Sequence, residues 1–237
     1  MKNIFKAIAL AAIAISAASC ISDDQEISGS TIGTLADSYL LTDYGWKLIF
    51  KTSEVTFDKS VVKTGSRVYV NFNYLYSEMS DTEVKGTMTS YHVFNVQDIL
   101  KEGEYEPEDI GTDGIYFPSA NNLWASGGYV NACLCYYQGK NSNTAHTISM
   151  VYNEQESVDG DLVFEIHHNA FGETIGYQGY EYSNCDYVQA FLSFNYLKVY
   201  SGKINSITVK YNNIRDAVST PPVFEDVAVK ISITDPA

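Results

Sequence analysis

The alternation of apolar and polar side chains constrains the fold of this 237-residue chain more than any other feature. From Arg67 to Tyr76, every second side chain is large and apolar, which is typical of a strand with one buried face. The same period of two recurs over residues 162–168, 188–196 and 227–233. A helical pattern stands out only as a single turn between Val96 and Lys101. The sequence therefore predicts an all-β protein with antiparallel sheets.

Short segments that favour chain reversal separate these alternating runs. They contain glycine or aspartate, which accept the backbone angles of tight turns. Asp-Gly between two alternating runs is a hairpin signal. The clearest examples are Lys63-Thr64-Gly65-Ser66, Asp159-Gly160-Asp161 and Ser201-Gly202-Lys203.

An acidic segment over residues 102–109 interrupts the strand rhythm and carries a glycine and a proline. We therefore expect a domain boundary between about residues 101 and 112. The part before it has room for five short strands and predicts a small barrel over residues 36–105. The part after it has room for seven or eight strands and predicts a β-sandwich over residues 110–237.

The first nineteen residues are typical of a secretory signal. Lys2 and Lys6 precede a short apolar run that is too brief to span a bilayer. The small residues that follow lead into Cys20, as in a bacterial lipobox, although Ala17 stands where leucine is usual. We therefore predict a lipoprotein signal peptide over residues 1–19 and membrane attachment through acyl chains on Cys20. An ordinary signal peptide that is cleaved elsewhere is the alternative.

The residues directly after Cys20 are acidic and polar. Residues 21–26 resemble the sorting patch of surface-exposed lipoproteins in gut-type Gram-negative bacteria. The following polar and Gly-rich stretch predicts a flexible tether over residues 20–35. We expect an outer-membrane lipoprotein that is displayed at the cell surface, with a periplasm-facing lipoprotein as the alternative.

The charge of the mature chain limits its partners. Removal of Lys2 and Lys6 with the signal leaves 13 of the 15 basic residues against 29 acidic ones, which is a net charge of −16. Such a chain repels phosphate backbones. We therefore expect no nucleic-acid partner.

Several loose motifs occur in an order that resembles the NigD-like lipoproteins. The Cys20 lipobox and its acidic tether come first in this order, and the resemblance covers essentially the whole mature chain. It implies an OB-like barrel followed by a C-terminal β-sandwich, and it supplies neither a reaction nor catalytic residues. The motifs are Leu41–Trp46, Gly65–Phe72, Val93–Leu100, Leu123–Asn131, His146–Val151 and Glu165–Ala170.

The cysteines and histidines give no strong catalytic or metal signature. Cys133 and Cys135 share one strand face, and we favour buried free thiols for them and for Cys185 over one disulfide or a zinc site. His167 and His168 are consecutive, so they point to opposite faces of a strand. His168 shares its face with apolar residues and is predicted to be a buried, hydrogen-bonded histidine.

The sequence contains no Gly-x-Ser-x-Gly elbow for a serine nucleophile. A pair of carboxylates for glycoside hydrolysis can be selected from 29 acidic residues only by geometry. We therefore predict a protein that is not an enzyme and that uses no cofactor and no metal.

An aromatic, Gly-rich loop over residues 171–187 is the candidate binding site. Tyrosine serves protein interfaces, and it also stacks on pyranose rings while neighbouring polar groups bind sugar hydroxyls. A third possibility is that these rings only pack the loop against the sandwich. The candidate ligand-binding residues are Tyr177, Tyr180, Tyr182, Tyr187, Glu181 and Asp186.

These features together predict a lipid-anchored β protein that binds a macromolecular partner, such as an outer-membrane protein. A glycan-binding module that uses the loop over residues 171–187 is the alternative function.

Overall fold

The structure is a computed structural model that describes residues 25–173, 175, 182–219 and 221–234. The chain divides into two compact units, which we call the N-terminal unit (residues up to Asn95, together with Thr234) and the C-terminal unit (Val96–Ile233). Within the described residues, no helix has the length and apolarity needed to cross a bilayer.

The N-terminal unit is a closed five-stranded barrel. Its strands pair in the circular order β1-β2-β3-β5-β4, because β4 pairs with both β5 and β1. The pair β3–β5 is parallel, whereas the other pairs are antiparallel. The strands are β1 (Glu26–Leu35), β2 (Tyr39–Thr42), β3 (Lys47–Phe50), β4 (Arg67–Leu75) and β5 (Glu83–Asp98).

Strand β4 shows how the sequence pattern becomes the barrel core. Val68, Val70, Phe72 and Tyr74 are buried, while the residues between them are only partly covered. They pack with Leu40, Leu48, Val84 and Met88 from neighbouring strands. The alternation read from the sequence is confirmed here, because successive side chains of a strand point to opposite faces of the sheet.

A buried ion pair joins two of the motifs noted in the sequence. The Arg67 guanidinium, at the start of β4, donates two hydrogen bonds to the Asp43 carboxylate in the turn after β2. Both side chains are at least 96% buried. The Asp43 amide also donates to the Ile32 carbonyl of β1, at 3.1 Å. The pair therefore holds the Thr42–Trp46 turn against the barrel wall.

The C-terminal unit is a β-sandwich, as predicted. One sheet contains β6, β7 and β10, and the other has the order β12-β11-β9-β8. The strands are β6 (Leu123–Ser126), β7 (Tyr129–Gly139), β8 (Thr147–Tyr152), β9 (Asp161–Asn169), β10 (Cys185–Asn195), β11 (Ser206–Asp216), β12 (Val223–Ile231) and β13 (Ile233–Thr234). A single helical turn, α1 (Pro107–Ile110), precedes them.

The two sheets of the sandwich share one apolar core. β9 contributes Leu162, Phe164 and Ile166, which the sequence pattern placed on one buried face. Leu134, Leu192 and Phe194 of the facing sheet pack into the same cluster. Inner faces that interdigitate in this way are what make a sandwich a single unit.

The turn at Asp159-Gly160 is confirmed as a tight reversal. Asp159 and Gly160 both have positive φ, 50° and 87°. The amides and carbonyls of Val158 and Asp161 exchange hydrogen bonds across it. Asp-Gly suits such a turn because both central residues need left-handed backbone angles.

Three local predictions need correction. The flexible tether predicted over residues 20–35 is wrong for residues 26–35, which form β1 and pair with β4 along nine positions. The pattern missed this strand because small polar residues, Ser28 to Ser30, occupy it. The helical turn predicted near residues 96–101 is also wrong, because β5 extends through Asp98.

The third correction concerns the boundary between the two domains. The two units divide at residues 95 and 96, before the acidic segment chosen from composition. Leu100 exchanges backbone hydrogen bonds with Met150 and Tyr152 of β8, so the chain has joined the sandwich before residue 101. Composition located an exposed loop of the C-terminal unit instead.

Candidate functional site

The structure describes three of the six predicted ligand-binding residues. Tyr182 and Tyr187 are about half exposed, at 48% and 51%, and Asp186 is exposed. Tyr177, Tyr180 and Glu181 lie outside the described residues, as does the predicted lipid anchor, Cys20.

Tyr182 and Tyr187 belong to a cluster of four tyrosines, the tyrosine patch, completed by Tyr116 and Tyr137. The Tyr137 ring lies at its centre, with its centroid 5.6 Å from that of Tyr182 and 5.7 Å from that of Tyr187. Both contacts have the edge-to-face geometry that aromatic pairs favour. Tyr137 and Tyr187 face each other across the β7–β10 pair. Two strands of the sandwich therefore hold the centre of the patch rigidly.

Sequence reasoning missed Tyr116 and Tyr137 because they are distant from the loop along the chain. Tyr116 exchanges backbone hydrogen bonds of 2.8 Å with Cys135 in β7, and its side chain is 38% exposed. Burial raises the pKa of Tyr137 and Tyr187, and the neighbouring Tyr116 adds to both shifts. The hydroxyls of Tyr137 and Tyr187 are therefore uncharged at neutral pH, and that of Tyr187 already shares a hydrogen bond with Cys135.

Thiols lie beneath the tyrosine patch. Cys133, Cys135 and Cys185 are free, as predicted, but only Cys135 and Cys185 are buried, whereas Cys133 is partly exposed. Burial raises the pKa of the Cys133 thiol to about 12. Burial also raises the pKa of Cys135, which shares a hydrogen bond with the Tyr187 side chain. These thiols stay protonated at neutral pH and are therefore poor nucleophiles.

A second group of polar side chains, the histidine cluster, comprises His146, His168 and Glu173. His168 Nδ1 lies 3.1 Å from the Gly114 carbonyl oxygen, and His168 Nε2 lies 3.0 Å from His146 Nδ1. His146 Nε2 faces Glu173 Oε2 at 3.7 Å. The prediction that His168 is buried and hydrogen-bonded is confirmed, since it is only 2% exposed.

The histidine cluster joins the start of the tyrosine-rich loop to the loop between β7 and β8. Glu173 Oε1 accepts hydrogen bonds of 2.6 Å from the hydroxyls of both Ser142 and Thr144. These bonds are the main reason that the pKa of Glu173 is lowered. Tyr136 of β7 covers the imidazoles, with its ring stacked on His146 at 5.0 Å.

The described part of the chain contains no group of three or more His, Cys, Asp or Glu side chains placed to hold a metal ion. His167 points away from His168, with its Nδ1 3.1 Å from the Gly111 carbonyl and its Nε2 3.4 Å from Glu165. The tyrosine patch is thus the arrangement best suited to binding, because its rings are exposed and firmly supported.

The C-terminal unit of this chain matches a known protein family. The model of the NigD-like C-terminal beta sandwich domain matches residues 95–221, just over half of the chain. The chain belongs to the NigD-like family. The match begins at residue 95, and the C-terminal unit of this NigD-like protein begins at the next residue, Val96.

Solved structures share the fold of this NigD-like protein at low sequence identity. A protein of unknown function from Bacteroides vulgatus is 21% identical, with a TM-score of 0.60 over 86% of this chain and 90% of its own. A NigD-like immunity protein from Bacteroides caccae is 16% identical, with a TM-score of 0.54 over 87% and 94%. A candidate lipoprotein from Bacteroides fragilis is 13% identical, with a TM-score of 0.55 over 89% and 100%. At these identities the likeness establishes the fold alone.

No curated protein matches the chain. Residue roles therefore have to be argued from the geometry of the chain itself.

Proposed function

We propose that this NigD-like protein is a lipid-anchored protein of the outer membrane, displayed at the cell surface, that binds a protein partner through the tyrosine patch. The observation that carries the proposal is the patch itself: four tyrosines, three of them 38–51% exposed, in a cluster held by β7 and β10.

The chemistry of the patch favours a protein partner. Tyrosine provides a large contact area with few rotatable bonds, so its ordering on binding costs little entropy. Tyr137 is already held by its ring contacts with Tyr182 and Tyr187. Protein interfaces are enriched in such anchors at their centres and in polar groups at their rims. Asp186 is exposed but precedes Tyr187 in β10, so its side chain points to the opposite face of the sheet from the patch.

Two of the structural relatives support this proposal. The relative from Bacteroides caccae is described as an immunity protein, and binding to another protein is one way to perform that role. The relative from Bacteroides fragilis, described as a candidate lipoprotein, agrees with anchoring at Cys20.

Crosslinking in cells tests the partner. The wild-type chain should recover the same outer-membrane protein repeatedly, and Tyr187→Ala combined with Tyr182→Ala should lose it. Tyr76→Ala is the matched control, because Tyr76 is a similarly exposed tyrosine (42%) in the N-terminal unit. Equal recovery by the wild type and the patch variant would refute the proposal.

Fractionation tests the location. Cys20→Ala should move the protein from the membrane to the soluble fraction. Protease added to intact cells should degrade the wild-type protein. Survival of the wild-type protein until the outer membrane is permeabilised would instead place it on the periplasmic side.

A glycan is the second candidate ligand, because exposed aromatic rings also suit stacking on a pyranose. Titration of the purified chain with a polysaccharide panel separates the two candidates. The glycan would be supported by a saturable heat of binding that disappears in the Tyr187→Ala variant, if crosslinking also recovers no protein partner.

A further inference from the structure

The protons in the histidine cluster can be counted from its contacts. A neutral imidazole carries one N–H, so the two histidines supply two protons. The Gly114 carbonyl can only accept, which places the proton of His168 on Nδ1. His168 Nε2 is then an acceptor, which places the proton of His146 on Nδ1. No proton remains for the third contact, between His146 Nε2 and Glu173 Oε2.

The third contact therefore brings two acceptors together. The His146 side chain is fully buried and that of Glu173 is 13% exposed. Among the described residues, no group forms a hydrogen bond with the buried atoms His146 Nε2 and Glu173 Oε2. Buried polar atoms are rarely left in this state, because an unmade hydrogen bond inside a protein is costly. One additional proton on His146 Nε2 would complete the chain of contacts.

A second additional proton has a different effect. It would place an N–H on His168 Nε2, facing the N–H of His146 Nδ1 at 3.0 Å. Two donors cannot share this contact, so the cluster must open. The cluster thus accepts one proton without losing a contact and loses its central contact with the next.

The surroundings set the order of these two steps. Burial lowers the pKa of His146, while the nearby Glu173 and Asp113 carboxylates oppose this shift. Burial lowers the pKa of His168 further, to about 4. The Ser142 and Thr144 hydroxyls lower the pKa of Glu173, which favours its ionised form. Tyr136, the remaining titratable group packed on the rings, stays neutral since burial raises its pKa.

We propose that His146, His168 and Glu173 form a pH-responsive latch that binds one proton between His146 and Glu173 and opens when a second proton enters. The latch holds the turn that starts the tyrosine-rich loop, where the Glu173 amide donates to the Ala170 carbonyl at 3.0 Å. Opening separates the His168 imidazole in β9 from His146 in the loop between β7 and β8, while Glu173 keeps its bonds to Ser142 and Thr144. This inference is independent of the proposed function, because it concerns proton binding and not a partner.

Nuclear magnetic resonance of the imidazole nitrogens in the full chain carrying Cys20→Ser tests the latch between pH 7.5 and 4. At pH 7.5, both His146 and His168 should carry their proton on Nδ1. The first proton should appear on His146 Nε2. The hydrogen-bonded proton signal of His146 Nδ1 should be lost only with the second step, when a proton appears on His168 Nε2. A proton on Nε2 of His168 at pH 7.5, or one common step for both histidines, would overturn the proposal.

The Glu173→Gln variant provides a second, sharper test. The glutamine amide can donate to His146 Nε2 while its oxygen still accepts from Ser142 and Thr144, so the contact no longer needs an extra proton. The affinity of His146 for that proton should fall at least tenfold. An unchanged titration midpoint would contradict the proposal.

Glu165→Gln is the matched control for this variant. Glu165 Oε2 lies 3.4 Å from His167 Nε2 on the same strand, and the two side chains are 30% and 20% exposed. This substitution should leave the titration of His146 unchanged. A His146 midpoint that moved equally in both variants would mean that general charge, and not the buried contact, controls the proton.

Discussion

Loss of one partner of the Arg67–Asp43 pair should destabilise the barrel more than loss of an exposed ion pair. In Arg67→Met, the Asp43 carboxylate stays 96% buried and loses both guanidinium hydrogen bonds. By contrast, the pair Lys198–Asp98 has side chains that are 57% and 65% exposed, and Lys198→Met should have little effect.

The magnitude follows from this burial. Removing one partner of a buried pair costs about 3–5 kcal/mol, because the remaining charge is left in a poorly solvated site. A unit of about 70 residues has a stability of roughly 4–10 kcal/mol. Arg67→Met should therefore remove a large part of the stability of the barrel. With a urea dependence of about 2 kcal/mol per molar, the midpoint should fall by roughly 2 M.

The two tryptophans allow each unit to be monitored in the full chain. Trp46 lies in the barrel, with its ring 6.2 Å from that of Phe72, and Trp124 lies in β6 of the sandwich. Urea unfolding of Arg67→Met in a Trp124→Phe background reports on the barrel. The same substitution in a Trp46→Phe background reports on the sandwich, whose midpoint should stay unchanged.

The double variant Arg67→Met/Asp43→Leu distinguishes a lost pair from lost packing. Replacing both charges with apolar groups removes the uncompensated carboxylate, so it should recover most of the lost stability. If Arg67→Met lowers the free energy of unfolding of the barrel by less than 1 kcal/mol, burial does not make this ion pair important for stability. A double variant that is less stable than both single variants would refute the argument from burial as well.

Three further predictions concern the sandwich. Phe164→Ala should cost about 3–5 kcal/mol, read from the fluorescence of Trp124, because Phe164 is completely buried in the core. Burial lowers the pKa of His168 to about 4, so its contribution to stability should be complete above about pH 6.5 and disappear as the pH falls towards 4. Urea midpoints should therefore depend less on pH over that range in His168→Gln than in the wild type. Gly160→Ala should lower the thermal midpoint, because φ is 87° and the new Cβ would lie 2.3 Å from the Lys203 carbonyl oxygen.

The strands with strict alternation were predictable from the sequence because their pattern reports burial directly. In β4 and β9, large apolar residues stand at every second position, and the residues at these positions are buried in the structure. β1 carries no such pattern, since its small polar residues are held by pairing with β4. Hydrogen bonds between backbones do not depend on side-chain type, so a strand of this kind leaves little trace in its sequence.

The candidate site was predictable only in part. Tyr182 and Tyr187 stood out because they are near each other along the chain. Tyr116 and Tyr137 join them through the β7–β10 register and the bridge between Tyr116 and Cys135. In the histidine cluster, His168 likewise contacts His146, 22 positions away, and the Gly114 carbonyl, 54 positions away.

The order of amino acids was sufficient to determine the all-β class and the family to which the chain belongs, because period-two burial and ordered motifs are properties of the linear chain. Tertiary structure alone decided which tyrosines meet and which polar atoms face each other, since strand pairing brings distant residues within hydrogen-bonding range. Proton positions in the histidine cluster depend on such distances of a few ångströms, which no linear pattern records.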